Sequence, residues 1–561
     1  MTPLNPDGNI FEAFASAATE NGNKTAIIYL GTRFTYKTIL GLAENFAGSL
    51  KGAGVAEGER IILYVPNSVH WVVAWLGIQR AGAVVVPITP IYTKHDLVYI
   101  ANDSGAKHIV CSDTNFGYVK QAIPETDLKK AIAIKLTDLL PGWKKLFGWT
   151  FDRVPKGKVA KEDDTLWFGD MVKGNPGAKT LPPLTQKGKD TAEIIYTGGT
   201  TKFPKGVPIS HGLYLESAGE QISICDPLFK PAENVVLGTA PLFHILGQTC
   251  ALSTLLVGGA IILMPKVNLD AVFDSIQRLK AKTLIGVPTL YRMILDHDRV
   301  DFYDLSSLSY VFNGGDVLPE EISNRWRKKF NKPIYQGYGA TETCGGVTMC
   351  PTDEENPPKS IGRVVPSKTV KLVDPATLAP VAPGEQGEAL VHSGRMVSAY
   401  WNKPEETKEA FVEIDSLLYY RTADVLTIDE NGHYYFVDRT VDTIKHKGYR
   451  VSSSEIEGVL QENQAVIGAC VVGIPDEKVG ERIKAFVVLK EDVKGTTGYD
   501  RIKWRRKRLA SHKAPKYIEF RDMLPTSKVG KLLRCEIRSE EERRKEGRLF
   551  RFFSRSHTGA V

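Results

Sequence analysis

Strand-like runs of uncharged residues alternate with helical patterns near the start of the chain. Helical periodicity covers 34–52 and 69–81, and each helix precedes an apolar run, Arg60–Pro66 and then Ala83–Ile88. Strands that are apolar at successive positions must be covered on both faces, as in parallel sheets flanked by helices. The rhythm resumes after a Lys-, Gly- and Pro-rich excursion at 142–184 and continues to Ile334. This pattern predicts an α/β fold with two parallel subdomains.

The pattern changes twice in the second half of the chain. From Lys368 to Tyr400 the strands become shorter and alternate apolar with polar residues, which indicates a small β-rich subdomain. Beyond Arg439 a helix at Ser453–Glu462 and strands near 469–473 and 485–489 indicate a smaller α+β unit. We therefore predict an N-terminal domain at 1–439 and a mobile C-terminal domain at 440–561, which suits a chain of 561 residues.

One uncharged stretch, Ile245–Pro265, is long enough to cross a bilayer. The pair Gly258-Gly259 interrupts it, so a buried helix, a turn and a strand at 260–264 are expected instead. The N-terminus shows no basic segment followed by an apolar run, and the seven cysteines form no CxxC pair. These features predict a cytoplasmic protein without disulfides.

Positive charge is concentrated at the C-terminus, where residues 501–561 carry 19 Lys and Arg against 7 Asp and Glu. Such a surface attracts polyanions, either a phosphorylated cofactor or an anionic membrane. Nucleic acid is not expected as a partner, because the basic run 501–513 contains only Trp504 for stacking. The basic and aromatic tail at 543–555 leaves open a weak peripheral membrane contact or a solvated tail.

The strongest local motif is a loop rich in glycine and threonine that follows an apolar strand. It runs from Ile194 to His211 and reads IIYTGGTTKFPKGVPISH. Backbone N–H groups and threonine hydroxyls in such a loop can surround phosphate oxygens, and Lys205 adds a positive charge. The chain has no GxxxxGK[ST] pattern, so this is not a Walker loop. Alone, the motif is also compatible with an ordinary turn.

Three further motifs follow in order. They are YQGYGATET at 335–343, YRTAD at 420–424 with VDR at 437–439 and KHKGYRVSSSEIE at 445–457, and LPTSKVGKLLR at 524–534. In this order and spacing the set resembles the adenylate-forming superfamily of acyl-CoA synthetases, luciferases and peptide-synthetase adenylation domains. The resemblance runs from about residue 25 to 538, and several long motifs in order are more specific than any one of them.

The resemblance implies a role for each matching position. For the phosphates of the nucleotide, it implies a loop at Thr197, Gly198, Gly199, Thr200, Thr201 and Lys205. For the purine, with Tyr338 stacked on adenine, it implies Gly314, Gly315, Asp316, Gln336, Gly337, Tyr338 and Gly339. For the ribose, it implies Asp424 and Arg439. For catalysis it implies Thr341 at the α-phosphate, Glu342 and Thr197 at Mg²⁺, His244 at the acyl pocket and the mobile Lys531. For CoA it implies Lys445, Lys447, Gly448 and Tyr449.

These residue types fit the chemistry. A carboxylate that attacks a phosphate is an anion approaching an anion, so a metal ion and cationic side chains must neutralise the developing charge. The two oxygens of Asp424 suit a vicinal diol. The sequence departs from the family at five positions: Gly198 replaces serine, Lys202 and Ala423 replace glycine, Asp438 replaces the glycine common before Arg439, and Val441 replaces a polar hinge residue. The loop departures predict a more cationic, differently shaped phosphate loop.

We expect a ligase that joins a carboxylic acid, most simply a fatty acid, to CoA with ATP and Mg²⁺. The alternatives are an aryl-CoA ligase, a stand-alone adenylation enzyme for a carrier protein, and a non-catalytic relative that binds acyl-adenylate or lipid. The unusual loop and hinge residues favour the last alternative, whereas the presence of Glu342, Asp424, Arg439 and Lys531 opposes it. The sequence leaves the acid, and the choice between a monomer and a homodimer, open.

Overall fold

The structure is a computed structural model. It describes residues 4–144, 157, 159, 165–173, 181–197, 203–440, 442, 444–446, 449–463, 465–476, 479–490, 509, 513–526 and 532–544. The side chains of 449 and 450 are not among the described parts of the chain.

The strands, in chain order, have the following bounds. They are β1 Thr25–Tyr29, β2 Thr32–Thr35, β3 Arg60–Tyr64, β4 Val84–Pro87, β5 His108–Ser112, β6 Lys130–Ile134, β7 Thr165–Trp167, β8 Thr191–Thr197, β9 Lys205–Ser210, β10 Val235–Gly238, β11 Ala260–Leu263, β12 Thr283–Gly286, β13 Tyr310–Asn313, β14 Tyr335–Ala340, β15 Gly345–Met349, β16 Arg363–Val364, β17 Lys368–Val373, β18 Gly387–Ser393, β19 Phe411–Ile414, β20 Leu417–Ile428, β21 Tyr434–Arg439, β22 Ile444–His446, β23 Tyr449–Val451, β24 Val466–Asp476, β25 Gly480–Leu489 and β26 Tyr517–Phe520.

The helices follow the same order. They are α1 Ile10–Glu20, α2 Tyr36–Gly52, α3 Val69–Arg80, α4 Lys94–Ser104, α5 Phe116–Ala122, α6 Phe168–Met171, α7 His211–Ser223, α8 Ile245–Cys250, α9 Leu269–Leu279, α10 Pro288–Leu295, α11 Glu320–Phe330, α12 Pro404–Ala410 and α13 Ser453–Gln461, with a last helix over 534–544. Short 3₁₀ turns lie at Asp113–Asn115, Ile123–Glu125, Pro231–Glu233, Leu252–Val257 and Val300–Phe302.

Two mostly parallel sheets form the first part of the fold. One has the strand order β7-β6-β5-β3-β4-β8-β9, and the other has the order β16-β15-β14-β13-β12-β10-β11-β1-β2. The first sheet ends in the antiparallel pair β8–β9, and the second ends in antiparallel pairs on both sides. One continuous apolar cluster joins the two sheets through α1, α2 and α3. The predicted α/β fold class is confirmed.

The first helices and strands lie where the sequence predicts them. The pattern at 34–52 forms α2, which Thr35 caps by accepting a hydrogen bond from the Thr38 backbone N–H. The pattern at 69–81 forms α3, which Ser68 caps in the same way through the Trp71 N–H. Strands β3 and β4 occupy the two apolar runs and are paired in parallel.

The uncharged stretch at 245–265 is buried inside the protein, as predicted. It forms α8, a 3₁₀ turn and then β11, and Gly258 ends the turn in the left-handed region with φ of +84°. In the described part of the chain, no helix is both long and apolar enough to cross a membrane. All seven cysteines are unpaired.

The rest of the chain forms two antiparallel-rich sheets. The first has the order β17-β18-β20-β19, with β21 paired to β20, and so the predicted β-rich subdomain extends to Arg439. The second has the order β23-β22-β25-β24, with β26 beside β25, and α13 packs against it. Arg292 Nη1 donates to the carbonyls of Val466 and Ile467, at 3.0 and 3.1 Å, and so connects α10 to this last sheet. The boundary between 439 and 440 stays a prediction.

Helices α2 and α3 pack closely, and one glycine sets their separation. A Cβ on Gly77 would lie 2.8 Å from a ring carbon of Phe46 and 2.9 Å from the carbonyl oxygen of Ala43. Backbone cannot give way cheaply in a dense core, so even one added methyl group should force the helices apart.

We therefore expect Gly77→Ala to lower the free energy of unfolding by about 1–3 kcal/mol. Gly41→Ala is the matched control, because a Cβ on Gly41 in α2 would meet nothing within 4 Å. That variant should gain about 0.5–1 kcal/mol of helix stability. Urea unfolding midpoints would check both, and equal midpoints for the two variants would contradict the close packing.

Candidate active site

The base of the predicted phosphate loop is a hairpin. Strands β8 and β9 pair so that Thr197 lies opposite Lys205. The tip, which includes the sequence-predicted Gly198, Gly199, Thr200 and Thr201 and the unusual Lys202, lies outside the described residues. On the returning strand, Tyr99 of α4 stacks on Phe203 with ring centroids 4.7 Å apart and donates to the Pro204 carbonyl at 2.9 Å. The described end of the loop is therefore fixed to α4.

Lys205 and Glu342, predicted to act on phosphate and metal, contact the ring and the hydroxyl of one tyrosine. The Lys205 ammonium is 4.3 Å from the centroid of the Tyr400 ring. The Tyr400 hydroxyl donates to Glu342 Oε1 at 2.7 Å. Burial and the charge of Glu342 raise the pKa of Tyr400, so its hydroxyl stays protonated and remains a donor. The structure thus brings Lys205 and Glu342, the predicted phosphate and metal residues, to the same tyrosine side chain.

Thr341 and Glu342 lie in a tight turn between β14 and β15. The Thr343 hydroxyl accepts from the Ala340 N–H at 3.0 Å and donates to the Gly345 carbonyl at 2.8 Å. Cys344 and Gly345 both have positive φ, +53° and +98°. The turn leaves Glu342 only 7% exposed and Thr341 9% exposed.

The donor set around Glu342 fits Mg²⁺. Besides this carboxylate, the predicted metal residue Thr197 ends β8 opposite Lys205 and carries a hydroxyl oxygen. Oxygen donors suit Mg²⁺, which usually takes one or two protein carboxylates and completes its shell with phosphates and water. In the described ranges, no group of three or more His, Cys, Asp or Glu could hold a metal ion.

The predicted ribose carboxylate is held on both oxygens. Asp424 lies directly opposite Arg439 across β20 and β21, and Arg439 Nε donates to Asp424 Oδ1 at 3.1 Å. The Tyr338 hydroxyl donates to Asp424 Oδ2 at 2.7 Å. The charge of Asp424 raises the pKa of Arg439, while burial and then Asp424 raise the pKa of Tyr338. Asp424 is therefore a fixed acceptor beside the predicted adenine-stacking ring.

A bulge in β20 interrupts its pairing with β18 next to Asp424. Residues 422–424 lie opposite the single residue Ala389, and Ala423 has a φ of +58°. The Thr422 hydroxyl donates to the Ala389 carbonyl at 2.8 Å and accepts from the Asp424 N–H at 3.1 Å. Alanine thus occupies a left-handed conformation that favours glycine, the residue usual in the family at this position.

The predicted purine segments are close-packed turns. Gly314-Gly315-Asp316 follows β13, Gly315 has a φ of +85°, and Asn313 Nδ2 donates to the Asp316 carbonyl at 2.9 Å. A Cβ on Gly314 would lie 2.9 Å from Leu246 of α8. At the start of that helix, His244 acts as the N-cap and its Nδ1 accepts from the Leu246 N–H at 3.2 Å.

The predicted glycines of β14 allow an equally close approach. A Cβ on Gly337 would lie 2.6 Å from the ring of Phe312, and one on Gly339 would lie 2.0 Å from the Gly345 carbonyl oxygen. Immediately before them in the motif, Gln336 Nε2 donates to the Ser360 carbonyl at 3.1 Å. These residues shape the wall on which Tyr338 is placed.

The predicted CoA segment is the β22–β23 hairpin. Lys445 is exposed, its N–H donates to Glu481 Oε2 at 2.6 Å, and Tyr449 begins β23. Lys447, Gly448, the hinge residue Val441 and Lys531 lie outside the described residues.

Past Lys531, the chain is held by a buried ionic cluster. Arg534 Nε donates to Glu457 Oε1 at 3.0 Å and Nη1 donates to Asp442 Oδ2 at 3.3 Å. Burial raises the pKa of Glu457 to about 7 despite the charge of Arg534. Asp438, another departure from the family, accepts from the Ser453 N–H at 2.5 Å and so caps α13.

Sequence reasoning missed Tyr400. It lies in the loop before α12, far from every motif that pointed to the site, and a lone tyrosine beside Trp401 carries no signal in one sequence. It also missed Asp103, which accepts from the Tyr196 hydroxyl at 2.7 Å and pairs with Lys403 at 3.1 Å. Only the fold brings these residues to the phosphate loop.

Comparisons with known proteins find relatives along almost the whole chain. The family model described as AMP-binding enzyme matches residues 14–401, and that described as AMP-binding enzyme C-terminal domain matches 455–531. A long-chain-fatty-acid–CoA ligase of Bacillus subtilis is 32% identical over 96% of this chain and 95% of that protein. A feruloyl-CoA synthase of Amycolatopsis sp. is 31% identical over 92% of this chain and 95% of its own.

A solved structure shares the whole fold. An anthranilate CoA ligase in complex with anthranoyl-AMP superposes with a TM-score of 0.84 at 25% identity, covering 97% of this chain and 99% of that one. The chain belongs to the AMP-binding enzyme family. It is a member of the acyl-CoA synthetase branch of the adenylate-forming superfamily, and the prediction of an AMP-forming acid–thiol ligase is confirmed at that level.

The strained bulge at Ala423 can be tested directly. Ala423→Gly should raise the free energy of unfolding by about 1 kcal/mol, because glycine adopts φ of +58° without a Cβ clash. Ala389→Gly, directly across the bulge at 0% exposure, is the control and should lose about 0.5–1 kcal/mol. Urea unfolding midpoints would measure both, and a loss of stability in Ala423→Gly would contradict the strain.

Proposed function

We propose that the protein is a carboxylic acid–CoA ligase whose first candidate substrates are fatty acids. The observation that carries the proposal is the joint placement of Lys205, Glu342 and the Tyr338–Asp424–Arg439 cluster in one fold. The fatty acid is supported by the 32% identity with the Bacillus subtilis ligase over nearly the full length of both chains.

In the first half-reaction an oxygen of the substrate carboxylate bonds to the α-phosphorus of ATP, and the bond to pyrophosphate breaks. Lys205 and the N–H groups of the phosphate loop would carry the β- and γ-phosphates, and Asp424 would accept from the ribose hydroxyls. Preorganised donors and charges of this kind stabilise the charge that develops at the phosphorus. Lys531 would neutralise the reacting carboxylate, and Thr341 would donate to the α-phosphate.

Glu342, with the hydroxyl of Thr197, would hold Mg²⁺, which supplies positive charge to the phosphate oxygens. In the second half-reaction the CoA sulfur bonds to the acyl carbon, and the bond to the AMP oxygen breaks. Lys445, Lys447, Gly448 and Tyr449 would line the path of the thiol after the domain at 440–561 turns relative to 1–439.

An aromatic acid is the second candidate. The feruloyl-CoA synthase is 31% identical, close to the value for the fatty-acid ligase, and the anthranilate ligase has the same fold. Both candidates share the adenylation chemistry and differ only in the acyl pocket.

Pyrophosphate release from ATP, measured with a panel of acids, tests the proposal. The panel should contain saturated acids from C2 to C18 together with benzoic, anthranilic and ferulic acids. We expect release to depend on the acid and CoA to form a thioester with the same acids. The chain-length profile separates the fatty from the aromatic candidate, and no acid-dependent release across the panel would refute the ligase.

Variants of the C-terminal domain test the two half-reactions separately. Lys531→Ala should lower acyl-adenylate formation by about 10²–10³ and largely preserve thioester formation from supplied acyl-adenylate. Gly448→Leu should do the reverse, because a side chain there would obstruct the pantetheine arm. Separate assays of pyrophosphate release and of acyl-adenylate consumption by CoA would check this, and equal losses in both assays for both variants would rule out a division of labour.

A further inference from the structure

We infer that Tyr400 is a positioning residue that acts as a spacer between two opposite charges of the active site. Its hydroxyl orients the Glu342 carboxylate, and its ring holds the Lys205 ammonium. The two charges therefore stay available to ligands instead of neutralising each other. The inference rests on the proposed function, within which Glu342 serves the metal and Lys205 the phosphates.

The geometry is that of a bridge. Tyr400 is 5% exposed, donates to Glu342 Oε1 at 2.7 Å and lies 4.3 Å from the Lys205 ammonium. Lys205 and Glu342 are both described, and no salt bridge joins them. A lysine and a glutamate this close to one ring would otherwise be natural partners, since opposite charges in a poorly hydrated site attract strongly.

The ring itself is fixed from several directions. The Tyr400 N–H donates to the Thr407 hydroxyl at 3.0 Å, and the ring packs edge-on against Phe411 with centroids 5.7 Å apart. The backbone N–H of the next residue, Trp401, donates to the Gly206 carbonyl at 2.8 Å, and Gly206 follows Lys205. The segment that contains Tyr400 is therefore hydrogen-bonded to β9, the strand that contains Lys205.

The two carboxylate oxygens of Glu342 have different contacts. Oε1 is occupied by the phenol, while among the described residues Oε2 has no hydrogen-bond partner. A carboxylate fixed through one oxygen presents the other in a defined direction, which suits Mg²⁺ because that ion demands near-ideal geometry. At the ring of Tyr400, a cation–π contact holds the Lys205 ammonium without neutralising its charge.

Two substitutions separate the two contacts. Tyr400→Phe keeps the ring and removes only the hydroxyl, whereas Tyr400→Leu removes both contacts and allows Lys205 to pair with Glu342. The matched control is Tyr435→Phe, because the Tyr435 hydroxyl donates to a different carboxylate, Asp429 Oδ2, at 2.8 Å.

The measurement is ATP binding by titration calorimetry, with and without Mg²⁺ and without any acid. For Tyr400→Phe we expect ATP affinity without Mg²⁺ to be unchanged, and the Mg²⁺ concentration for half-maximal enhancement to rise about tenfold, because a hydrogen bond to a charged group is lost. Tyr400→Leu should also weaken ATP binding without Mg²⁺. Tyr435→Phe should match the unaltered protein in both measurements.

A double variant separates positioning from a general structural effect. In the Glu342→Gln background, Tyr400→Phe should change Mg²⁺ dependence less than twofold, because its effect passes through the Glu342 carboxylate. Full additivity in that background, an unchanged Mg²⁺ dependence in Tyr400→Phe, or an equal change in Tyr435→Phe would overturn the inference. If Tyr400→Leu does not fold, the Phe variant and the double variant decide alone.

The same titration separates this inference from the ligase proposal. Mg²⁺-dependent ATP binding with the expected Tyr400 effects, but no acid-dependent pyrophosphate release, would support the spacer and refute the ligase. Absence of Mg²⁺-dependent ATP binding in the unaltered protein would overturn the spacer as well.

Discussion

Three separate sheets meet at the carboxylate of Glu342. The residue follows β14 of the nine-stranded sheet, and its partner Tyr400 lies between β18 and β19 of the antiparallel sheet. The ring of that partner carries Lys205 from β9 of the seven-stranded sheet. Because each sheet contributes one member, the complete constellation cannot be built until all three sheets have formed and docked. The large apolar core between the first two sheets is therefore also what sets the active-site distances.

Much of the fold follows from local pattern. Apolar runs and helical periodicity place α2, α3, β3 and β4 within a few residues of their observed bounds, because core burial and capping act over short stretches of chain. The same reasoning resolves the uncharged stretch at 245–265, since a glycine pair ends the turn before β11. Strand order cannot be predicted from local pattern, because the pairing of β1 with β11 depends on contacts between residues more than 200 positions apart.

The site also contains residues that could be predicted from the sequence and residues that could not. Residues within long motifs, such as Asp424 and Arg439, could be predicted together, and the structure pairs them across two strands. Tyr400 could not, because it acts only through neighbours that tertiary folding supplies. The departures from the family have mixed outcomes: Ala423 occupies a strained bulge, Asp438 caps a helix, and Lys202 and Val441 lie outside the described residues.

The pairing of β1 with β11 has a consequence for synthesis on the ribosome. Ile27 lies beside Ile261, so an apolar strand made at the very start has no neighbour on that side until the chain has grown past residue 260. At about 5–20 residues per second, that wait is roughly 10–50 s. During it the seven-stranded sheet, whose strands all lie between residues 60 and 210, can already assemble. The nascent chain thus carries an unpaired apolar strand edge beside an assembled sheet, and such edges are prone to aggregation.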